Sequence, residues 1–363
     1  TADIIGILQL KIVLATNSSL KGHKSSSDPP PRPKMIQSIF SNHIHFILLI
    51  CVLVCIFYLY HCLNENPQVE EFFIPDFPSM SEYYVQKIKE VEKPRMKYFM
   101  AIPYGDNLVS KNNLWNMVRD CNESIPFLPN SFILENFYDN MELNRTFNKD
   151  KIYILKKNIH RKTGLKLFRG TLEALRNEYF DGGYKVIQEF IVNPLLINKR
   201  IVVARMYLLL KRTNNGYEYA VHQYGKCLYT PRDFSLEGLE EDRMITDNKT
   251  ILDERFPKDV ENLLKYGVTR EILLKPIEKV LKCFRKYVDN LEEEPYHEQL
   301  TFFQLFGVDI IFDENINPYL LEINKNPDMG SLYYHYDRNM KNKVIMDVRE
   351  LVKNDVYTNF TKL

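Results

Sequence analysis

Apolar and polar positions follow regular periods along most of the chain after residue 97, and these periods predict a mixture of strands and helices. Apolar or alternating runs predict strands at 98–103, 152–155, 184–191, 201–210, 217–224, 308–312 and 319–323, with a further extended run at 132–134. Helical spacing predicts helices at 113–119, 171–179, 270–288 and 340–352. Turn signals at 214–216 and 313–318 join neighbouring strands into antiparallel hairpins. This mixture predicts an α+β fold.

The longest apolar run lies near the N-terminus, where residues 46–60 read FILLICVLVCIFYLY. Extended to residues 43–63, it has about the twenty residues needed to cross a bilayer. We therefore predict a single transmembrane helix, with a cleaved signal peptide as the alternative. Residues 1–42, which are rich in Ser and Pro, are predicted to be a disordered tail, and the acidic segment 64–94 is predicted to be a stalk.

The orientation of this predicted single-pass membrane protein stays open. Basic residues precede the apolar run and acidic residues follow it, so the positive-inside rule favours an N-terminus in the cytosol. The first methionine is Met35, and the residues before it could be upstream sequence that the mature protein lacks. A start at Met35 would remove most of the charge asymmetry.

The composition is that of an ordinary globular protein. A chain of 363 residues with a net charge of +1 can bury one large core or two to three smaller ones, and it has no basic excess that would indicate nucleic-acid binding. Three cysteines lie in the apolar run, and Cys121, Cys227 and Cys283 are far apart in sequence. This spacing predicts single buried thiols rather than a metal site or a disulfide framework.

The first candidate site lies on the predicted hairpin over residues 307–324. Asp309 lies on its first strand, and Glu322 and Asn324 share a face of the second strand. If the hairpin closes, these three side chains converge at one end of it. Two carboxylates and an amide oxygen are hard ligands suited to a Mg²⁺ ion that also holds nucleotide phosphates. The alternative is a solvated polar face on an edge hairpin.

Two further segments have residues suited to a nucleotide. Lys156 and Lys157 end a predicted strand and precede a polar stretch that contains Gly164, so point charges and loop amides could meet a phosphate. The second segment, VIQEFI at residues 186–191, could offer backbone groups to an adenine edge while Ile191 packs on its face. Taken singly, these segments are also typical of a solvated lysine pair and of a core strand.

The ordered set of motifs resembles the tubulin–tyrosine ligase-like family of ATP-grasp ligases from about residue 103 to residue 329. The segments that carry the resemblance are KNNLW (111–115), FLPNSFIL (127–134), ILKKN (154–158), VIQEF (186–190), NPLLINKR (193–200) with Arg205, FGVDIIFDE (306–314) and PYLLEINKNP (318–327). The resemblance implies an ATP-grasp fold of antiparallel sheets with helices over residues 95–363, with subdomains at 95–150, 151–225 and 226–363.

The resemblance also implies a reaction. ATP phosphorylates a protein carboxylate, an amino acid attacks the acylphosphate, and an amide forms with release of ADP and phosphate. It implies as an acceptor a protein with an acidic tail, which could be tubulin if the domain is cytosolic. The implied roles are phosphate contact by Lys156, an adenine hinge at Gln188, Glu189 and Ile191, Mg²⁺ ligation by Asp309, Glu322 and Asn324, and a position near the γ-phosphate and acceptor carboxylate for Arg205.

The chain departs from the family pattern at two places. Ile201 and Val203 stand where the family usually has Lys and then Asp or Asn, and residues 225–230 lack an Arg that the family often has. Lys199, Arg200 or Lys226 could substitute in space. These departures leave open an inactive relative that binds nucleotide or protein. A lumenal transferase of another class is a weaker alternative, because the chain has no Asp-x-Asp motif.

The basic segment at residues 149–169 is a candidate contact for an acidic tail or for ATP. Its alternative is a solvated, mobile loop.

Overall fold

The computed structural model describes residues 97–121, 127–159, 164–247, 250, 253–291, 300–329 and 335–363, together with the backbone of residues 72–73. The predicted tail at 1–42, the predicted transmembrane helix at 43–63 and nearly all of the predicted stalk at 64–94 lie outside these residues. Within the described part of the chain, no helix is both long and apolar enough to span a bilayer. This finding corrects the prediction of a single-pass membrane protein, whose apolar run lies outside the described residues.

The described residues form strands and helices in mixed order. The strands are β1 (Phe72–Phe73), β2 (Tyr98–Phe99), β3 (Ser131–Phe132), β4 (Tyr153–Lys156), β5 (Leu165–Phe168), β6 (Val186–Glu189), β7 (Leu196–Ile197), β8 (Arg200–Thr213), β9 (Gly216–Tyr229), β10 (Thr301–Phe312), β11 (Pro318–Lys325) and β12 (Phe360–Lys362). The α-helices are α1 (Asp106–Val109), α2 (Lys111–Asp120), α3 (Phe137–Thr146), α4 (Leu172–Asp181), α5 (Glu241–Met244), α6 (Arg270–Asp289) and α7 (His335–Asn354), and a 3₁₀ helix spans Val260–Tyr266. The predicted α+β class is confirmed.

The larger sheet follows the strand order β1-β2-β10-β8-β9-β12, with β11 paired to β10 and β7 paired to β8. Strands β10 and β8 lie at its centre. Strands β8 and β9 form a hairpin, and the predicted turn at 214–216 is confirmed. Gly216 has a φ of +109°, a backbone conformation that favours glycine. The predicted β10–β11 hairpin is also confirmed, with a register that runs from Phe306 opposite Lys325 to Phe312 opposite Pro318.

Successive side chains of β8 point to opposite faces of the larger sheet, so they pack into separate apolar clusters. Even-numbered residues such as Val202 and Leu208 pack into the main apolar core with α6. Odd-numbered residues face the other side, where Tyr207 and Leu209 pack with α7. Arg205 lies between that α7 cluster and a separate apolar cluster farther along the same face. A polar strip therefore crosses this face of the sheet at Arg205.

The smaller sheet is fully antiparallel, with the order β3-β6-β4-β5. One face packs against α3 and α4. The other face contributes Ile152, Ile154 and Leu167 to the apolar cluster that also contains residues of the larger sheet. Thr171 caps α4 by accepting a hydrogen bond from the Ala174 N–H at 3.2 Å, as expected for a helix predicted at 171–179.

The cysteines differ from the prediction. Cys121, at the end of α2, and Cys283, on α6, are joined by a disulfide with their Cα atoms 5.3 Å apart. Cys227 is a free buried thiol, as predicted, and burial raises its pKa. The prediction of single thiols was wrong for the pair because the two residues are 162 positions apart, and only the packing of α2 against α6 brings them together.

Candidate active site

Four charged side chains lie in a row across four adjacent strands of the larger sheet. Asp309 on β10 is the cross-strand partner of both Glu322 on β11 and Arg205 on β8, and Arg205 is the partner of Lys226 on β9. Directly opposed residues project to the same face of a sheet. The row therefore places two carboxylates beside two cations within the polar strip.

Arg205 and Asp309 form a buried bidentate pair. Arg205 Nε donates to Asp309 Oδ1 and Arg205 Nη2 donates to Asp309 Oδ2, each at 2.7 Å. Burial raises the pKa of Asp309, and Arg205 opposes that rise. Burial acts to lower the pKa of Arg205, but the charge of Asp309, its hydrogen bonds and the charge of Glu322 together outweigh burial, and the pKa is raised. The guanidinium is thus held in its charged form against the carboxyl group.

Asn324 links the two carboxylates of the hairpin. Its amide nitrogen donates to Glu322 Oε1 at 2.9 Å and to Asp309 Oδ2 at 3.3 Å. Lys111 Nζ lies 3.9 Å from Glu322 Oε2. Burial acts to raise the pKa of Glu322, but the charges of Lys111, Lys156 and Arg205 and the hydrogen bond from Asn324 together outweigh it, and the pKa is lowered. The structure therefore brings Asp309, Glu322 and Asn324 together, with Glu322 in its charged form at neutral pH.

This donor set fits a hard cation. Two carboxylates and an amide oxygen are ligands that Mg²⁺ accepts, and Mg²⁺ usually completes its coordination with water and substrate phosphates. The described residues contain no cluster of three or more His, Cys, Asp and Glu side chains that could hold a metal. The set here has only two such residues because its third member is Asn324.

Lys156 faces the carboxylates from the smaller sheet. Its ammonium group is buried and donates to the backbone oxygen of Leu321, next to Glu322, at 3.3 Å. Burial lowers the pKa of Lys156 to about 8, although the charges of Glu322 and Asp309 oppose this shift. The two sheets thus present one cation and two carboxylates to each other.

The structure does not bring Lys157 to the same place. Lys157 follows Lys156 directly, and its ammonium group lies over the Tyr184 ring at 4.9 Å from the ring centre. The Lys157 N–H donates to the Gly164 carbonyl at 2.8 Å, so Gly164 closes the base of the loop. A Cβ atom at Gly164 would lie 2.6 Å from Ile159 Cγ1, which explains the glycine.

The three side chains of the predicted adenine hinge lie in different surroundings. Gln188 is buried beside Lys156 and donates to Ser131 Oγ at 2.8 Å. The Glu189 side chain accepts a hydrogen bond from Lys151 Nζ at 2.8 Å. Ile191 packs against the apolar cluster between the sheets. Of the three side chains, only that of Gln188 lines the cavity next to Lys156.

This cavity between the sheets is small. It has a volume of about 30 Å³ and is bounded by Lys111, Lys156, Val186, Gln188 and Glu322, among others. Such a volume holds about one water molecule. A nucleotide can therefore enter only if the two sheets separate or side chains move.

Ile201 and Val203, the two departures from the family pattern, are fully buried in the apolar cluster between the sheets. Val203 lies opposite Leu228 on β9, and both belong to this cluster. Apolar packing thus occupies the sheet face next to Arg205. The cluster also contains Ile191 of the predicted hinge.

Of the three basic residues considered as substitutes, only Lys226 lies in the charged row. The Arg200 guanidinium lies 5.1 Å from the centre of the Phe256 ring, and Lys199 occupies a turn with a φ of +66°. Lys226 Nζ lies 2.9 Å from Asp337 Oδ2, and both side chains are buried. Sequence reasoning placed Lys226 among three alternatives, and cross-strand register distinguishes it.

Two residues near the row were missed by sequence reasoning. Lys111 belongs to the KNNLW motif, and its ammonium group approaches Glu322. Asp337 at the start of α7 contacts both Lys226 and, at 3.2 Å, Lys341. The motif could have indicated Lys111, but no local signal indicated Asp337.

The basic segment at 149–169 is partly neutralised by nearby carboxylates. Lys151 pairs with Glu189 at 2.8 Å, and Lys166 pairs with Glu178 at 2.7 Å. Residues 160–163 lie outside the described part of the chain. The described residues of this segment therefore present less free positive charge than the sequence suggests.

Comparison with known proteins extends these observations. The sequence of residues 89–361 matches the family model described as "Tubulin-tyrosine ligase family". "Tubulin glycylase 3B" of Drosophila melanogaster is 28% identical over 162 residues, or 40% of this chain and 21% of that protein. "Probable tubulin polyglutamylase ttll-9" of Caenorhabditis elegans is 28% identical over 230 residues, or 56% of this chain and 52% of that protein. "Inactive polyglycylase TTLL10" of Homo sapiens is 25% identical over 158 residues, or 39% of this chain and 24% of that protein. The chain thus spans about a fifth to a half of the length of these relatives.

Proposed function

Because the chain belongs to the tubulin-tyrosine ligase family, we propose that it is an ATP- and Mg²⁺-dependent ligase that joins an amino acid to a protein carboxylate. The observation that carries this proposal is the approach of Lys156 to the cluster of Asp309, Glu322 and Asn324 across the gap between the two sheets. A cation and a set of metal ligands that face each other suit the triphosphate of ATP. This arrangement of two sheets is the basis for proposing an ATP-grasp fold.

Each residue of the cluster has a role in this proposal. Asp309, Glu322 and Asn324 would hold Mg²⁺, which when bound supplies positive charge to the phosphates. Lys156 would bind the phosphates, and the backbone at Gly164, which accepts from the Lys157 N–H, would help to form the phosphate site. The backbone of β6 at Gln188 and Glu189, with Ile191, would form the adenine hinge. Arg205, which lies against Asp309, would orient the acceptor carboxylate.

The proposed reaction balances in two steps. The acceptor carboxylate oxygen attacks the γ-phosphorus of ATP and ADP leaves, which forms an acylphosphate. The neutral amine of the amino acid then attacks the acyl carbon, and phosphate leaves as the amide bond forms. The proton lost by the amine passes to solvent or to phosphate. Lys156 and Arg205 contribute by stabilising and orienting negative charge, and no side chain of this ligase forms a covalent bond with a substrate.

The proposed substrates come from the names of the relatives. Those names refer to glycine and glutamate addition and to tubulin, and the family name refers to tyrosine. We therefore propose a protein acceptor with an acidic tail, which could be tubulin, and a free amino acid as the second substrate.

A second candidate function is nucleotide binding without ligation. It is favoured by the apolar packing of Ile201, Val203 and Leu228 on the sheet face beside Arg205, which leaves fewer polar groups to bind substrate there. A human relative is itself named inactive. The two functions differ in one measurable property, the release of ADP.

The test is Mg²⁺-dependent ADP release by the full chain, with glutamate-rich peptides and free amino acids as substrates. Glu322→Gln should abolish release because it removes a metal-binding carboxylate. Glu314→Gln is the matched control: it makes the same change in the turn of the same hairpin, where Glu314 is exposed and contacts Asn193. Unchanged release in Glu322→Gln would overturn the proposed function. Nucleotide binding without release in the unaltered chain would favour the second candidate.

A further inference from the structure

A second and larger cavity lies beside the candidate active site and has a polar lining. Its volume is about 460 Å³, and its lining includes Asn112, Asn116, Arg119, Asn136, Asn158 and Lys185. Helix α2 separates it from the small cavity between the sheets. Lys111, Leu114 and Trp115 of α2 line the small cavity, whereas Asn112, Asn116 and Arg119 line the large one. Residues spaced by three and four positions share a helix face, so α2 forms a wall between two different sites.

Hydrogen bonds fix the orientation of three amide groups in this lining. Asn116 Oδ1 accepts from Arg119 Nη2 at 2.8 Å, and Asn112 Oδ1 accepts from Ser110 Oγ at 2.8 Å. Asn136 Oδ1 accepts from two backbone N–H groups at the start of α3, at 3.0 and 3.2 Å. No hydrogen bond among the described residues uses the amide nitrogens of these three side chains. Each therefore has N–H donors left for a ligand.

The charges of the lining balance one another, because its two cations, Arg119 and Lys185, are matched by two carboxylates, Asp120 and Glu135. Arg119 Nη1 lies 3.1 Å from Asp139 Oδ1, and Lys185 Nζ lies 3.5 Å from Glu135 Oε1. Selectivity in this cavity therefore comes from oriented neutral donors rather than from excess positive charge. Neutral N–H donors favour carbonyl and carboxylate oxygens, and hydrogen bonds to a carboxylate are roughly twice as strong as those between neutral groups.

The size of the cavity indicates an extended ligand. Asn112 and Arg119 are seven residues apart on α2, a distance of about 10 Å along the helix axis. One end of the cavity adjoins the candidate active site, because Asn158 Oδ1 accepts from the Lys111 N–H at 3.0 Å and Lys111 Nζ approaches Glu322. Phe137 and Tyr138, directly after Asn136, are 70% and 73% exposed. Exposed aromatic side chains beside a polar cavity are typical of protein-binding surfaces.

We propose that this cavity binds an extended segment of the acceptor polypeptide through its carboxylate and carbonyl oxygens. The segment passes the N-terminal end of α2 and presents its modified carboxylate to the region of Lys111 and Glu322. This proposal rests on the proposed function, since it assigns the acceptor of that ligase. The free amino acid has the same carboxylate chemistry but spans only part of the cavity.

The test is binding of a fluorescein-labelled hexaglutamate peptide amide to the full chain, followed by fluorescence anisotropy without ATP. Asn116→Asp keeps the oxygen that Arg119 contacts but replaces the N–H donor with a second negative oxygen. It should weaken binding at least ~10-fold, because a donor to a charged group is lost. Asn136→Asp, which also keeps a good helix cap, should have a similar effect. Asn140→Asp is the matched control, because Asn140 Oδ1 likewise accepts from an arginine, Arg176, outside the cavity lining.

Each outcome decides the proposal. Weaker binding in Asn116→Asp and Asn136→Asp, with normal binding in Asn140→Asp, supports the site. No peptide binding by the unaltered chain, or equal binding by all variants, overturns it. Competition by free glutamate at the same concentration as the peptide would assign the cavity to the amino acid and overturn the polypeptide assignment. The two measurements separate the two proposals. Peptide binding that depends on Asn116 and Asn136, without any ADP release, would overturn the proposed function and leave this site standing, whereas ADP release with equal peptide binding by all variants would overturn this site alone.

Discussion

Arg205 binds both carboxylate oxygens of Asp309, so a proposed metal ligand is already paired with a guanidinium. Arg205 and Asn324 together donate three hydrogen bonds to this carboxylate, which leaves it about one further lone-pair site. The arrangement links two proposed roles, because the guanidinium that would orient the acceptor carboxylate directly contacts a residue that would hold the metal. The pair is also buried, which makes its integrity important for stability.

Replacement of Arg205 should destabilise the fold in a pH-dependent way. Arg205→Met leaves Asp309 buried without its guanidinium, and such a change typically costs about 3–5 kcal/mol of unfolding free energy. Burial alone then raises the folded-state pKa of Asp309 above its unfolded value. The deficit should therefore shrink as the pH falls and the carboxyl group becomes protonated.

Urea unfolding at pH 5 and pH 7.5 measures this deficit. Arg255→Met is the control, since Arg255 forms an exposed pair with Asp253 and should have little effect. An Arg205→Met variant as stable as Arg255→Met at pH 7.5 would contradict the prediction.

Removal of the Lys156 charge should stabilise the protein while it abolishes ATP binding. The folded-state pKa of Lys156 is about 8, compared with an ordinary value of 10.5. The unfolded chain therefore binds more protons between these pH values, and the cost of burying the charge is fully present below pH 8. Lys156→Met should gain roughly 3 kcal/mol at pH 7, and the gain should disappear as the pH rises toward 10.5.

Chemical unfolding of the variant and of the unaltered chain at pH 7 and pH 10 checks this prediction, with nucleotide binding measured in parallel. Lys157→Met, whose charge lies over Tyr184, is the control. A stability difference between Lys156→Met and the unaltered chain that stays constant with pH would show that the lysine charge is not the cause.

Restoring the family residues at positions 201 and 203 should cost stability. Val203→Asp places a carboxylate in the apolar cluster beside Leu228, and the loss should be at least ~2 kcal/mol. The double variant Ile201→Lys with Val203→Asp should lose less unfolding free energy than the two single variants lose in sum, because the new charges can pair.

The same double variant tests the second candidate function. If Ile201 and Val203 prevent catalysis, the double variant should release ADP and the unaltered chain should not. Ile201→Val with Val203→Ile, which keeps the cluster apolar, is the control. Release by the unaltered chain that the double variant does not increase would remove the case for an inactive protein.

Loss of the disulfide should destabilise the domain. Cys121 and Cys283 close a loop of 162 residues, and cross-links of this kind commonly contribute about 2–4 kcal/mol. Cys283→Ser should lower the free energy of unfolding by about this much, and the unfolding midpoint should fall with it. Reductant should lower the midpoint of the unaltered chain and leave that of Cys283→Ser unchanged. An unaltered chain with two free thiols at these positions and no response to reductant would contradict the prediction.

Local periodicity was sufficient for much of the fold. Alternation and turn chemistry identified the β8–β9 and β10–β11 hairpins, and helical spacing identified α4 and α6. Helix α3 was missed because, of its ten residues, only Leu143 packs as a buried apolar side chain. The strand predicted at 98–103 is only two residues long as β2, since pairing with β10 ends at Phe99.

In the candidate site, too, the sequence predicted the contacts within one hairpin and missed the contacts between distant segments. Asp309, Glu322 and Asn324 were grouped correctly because one short hairpin carries all three, and hairpin register follows from local geometry. Arg205 beside Asp309, Lys226 beside Asp337, and Cys121 joined to Cys283 each connect residues more than 100 positions apart. Backbone geometry sets the direction of neighbouring side chains over a few residues. Contacts between distant segments depend on how sheets and helices pack, and the folded molecule alone specifies them.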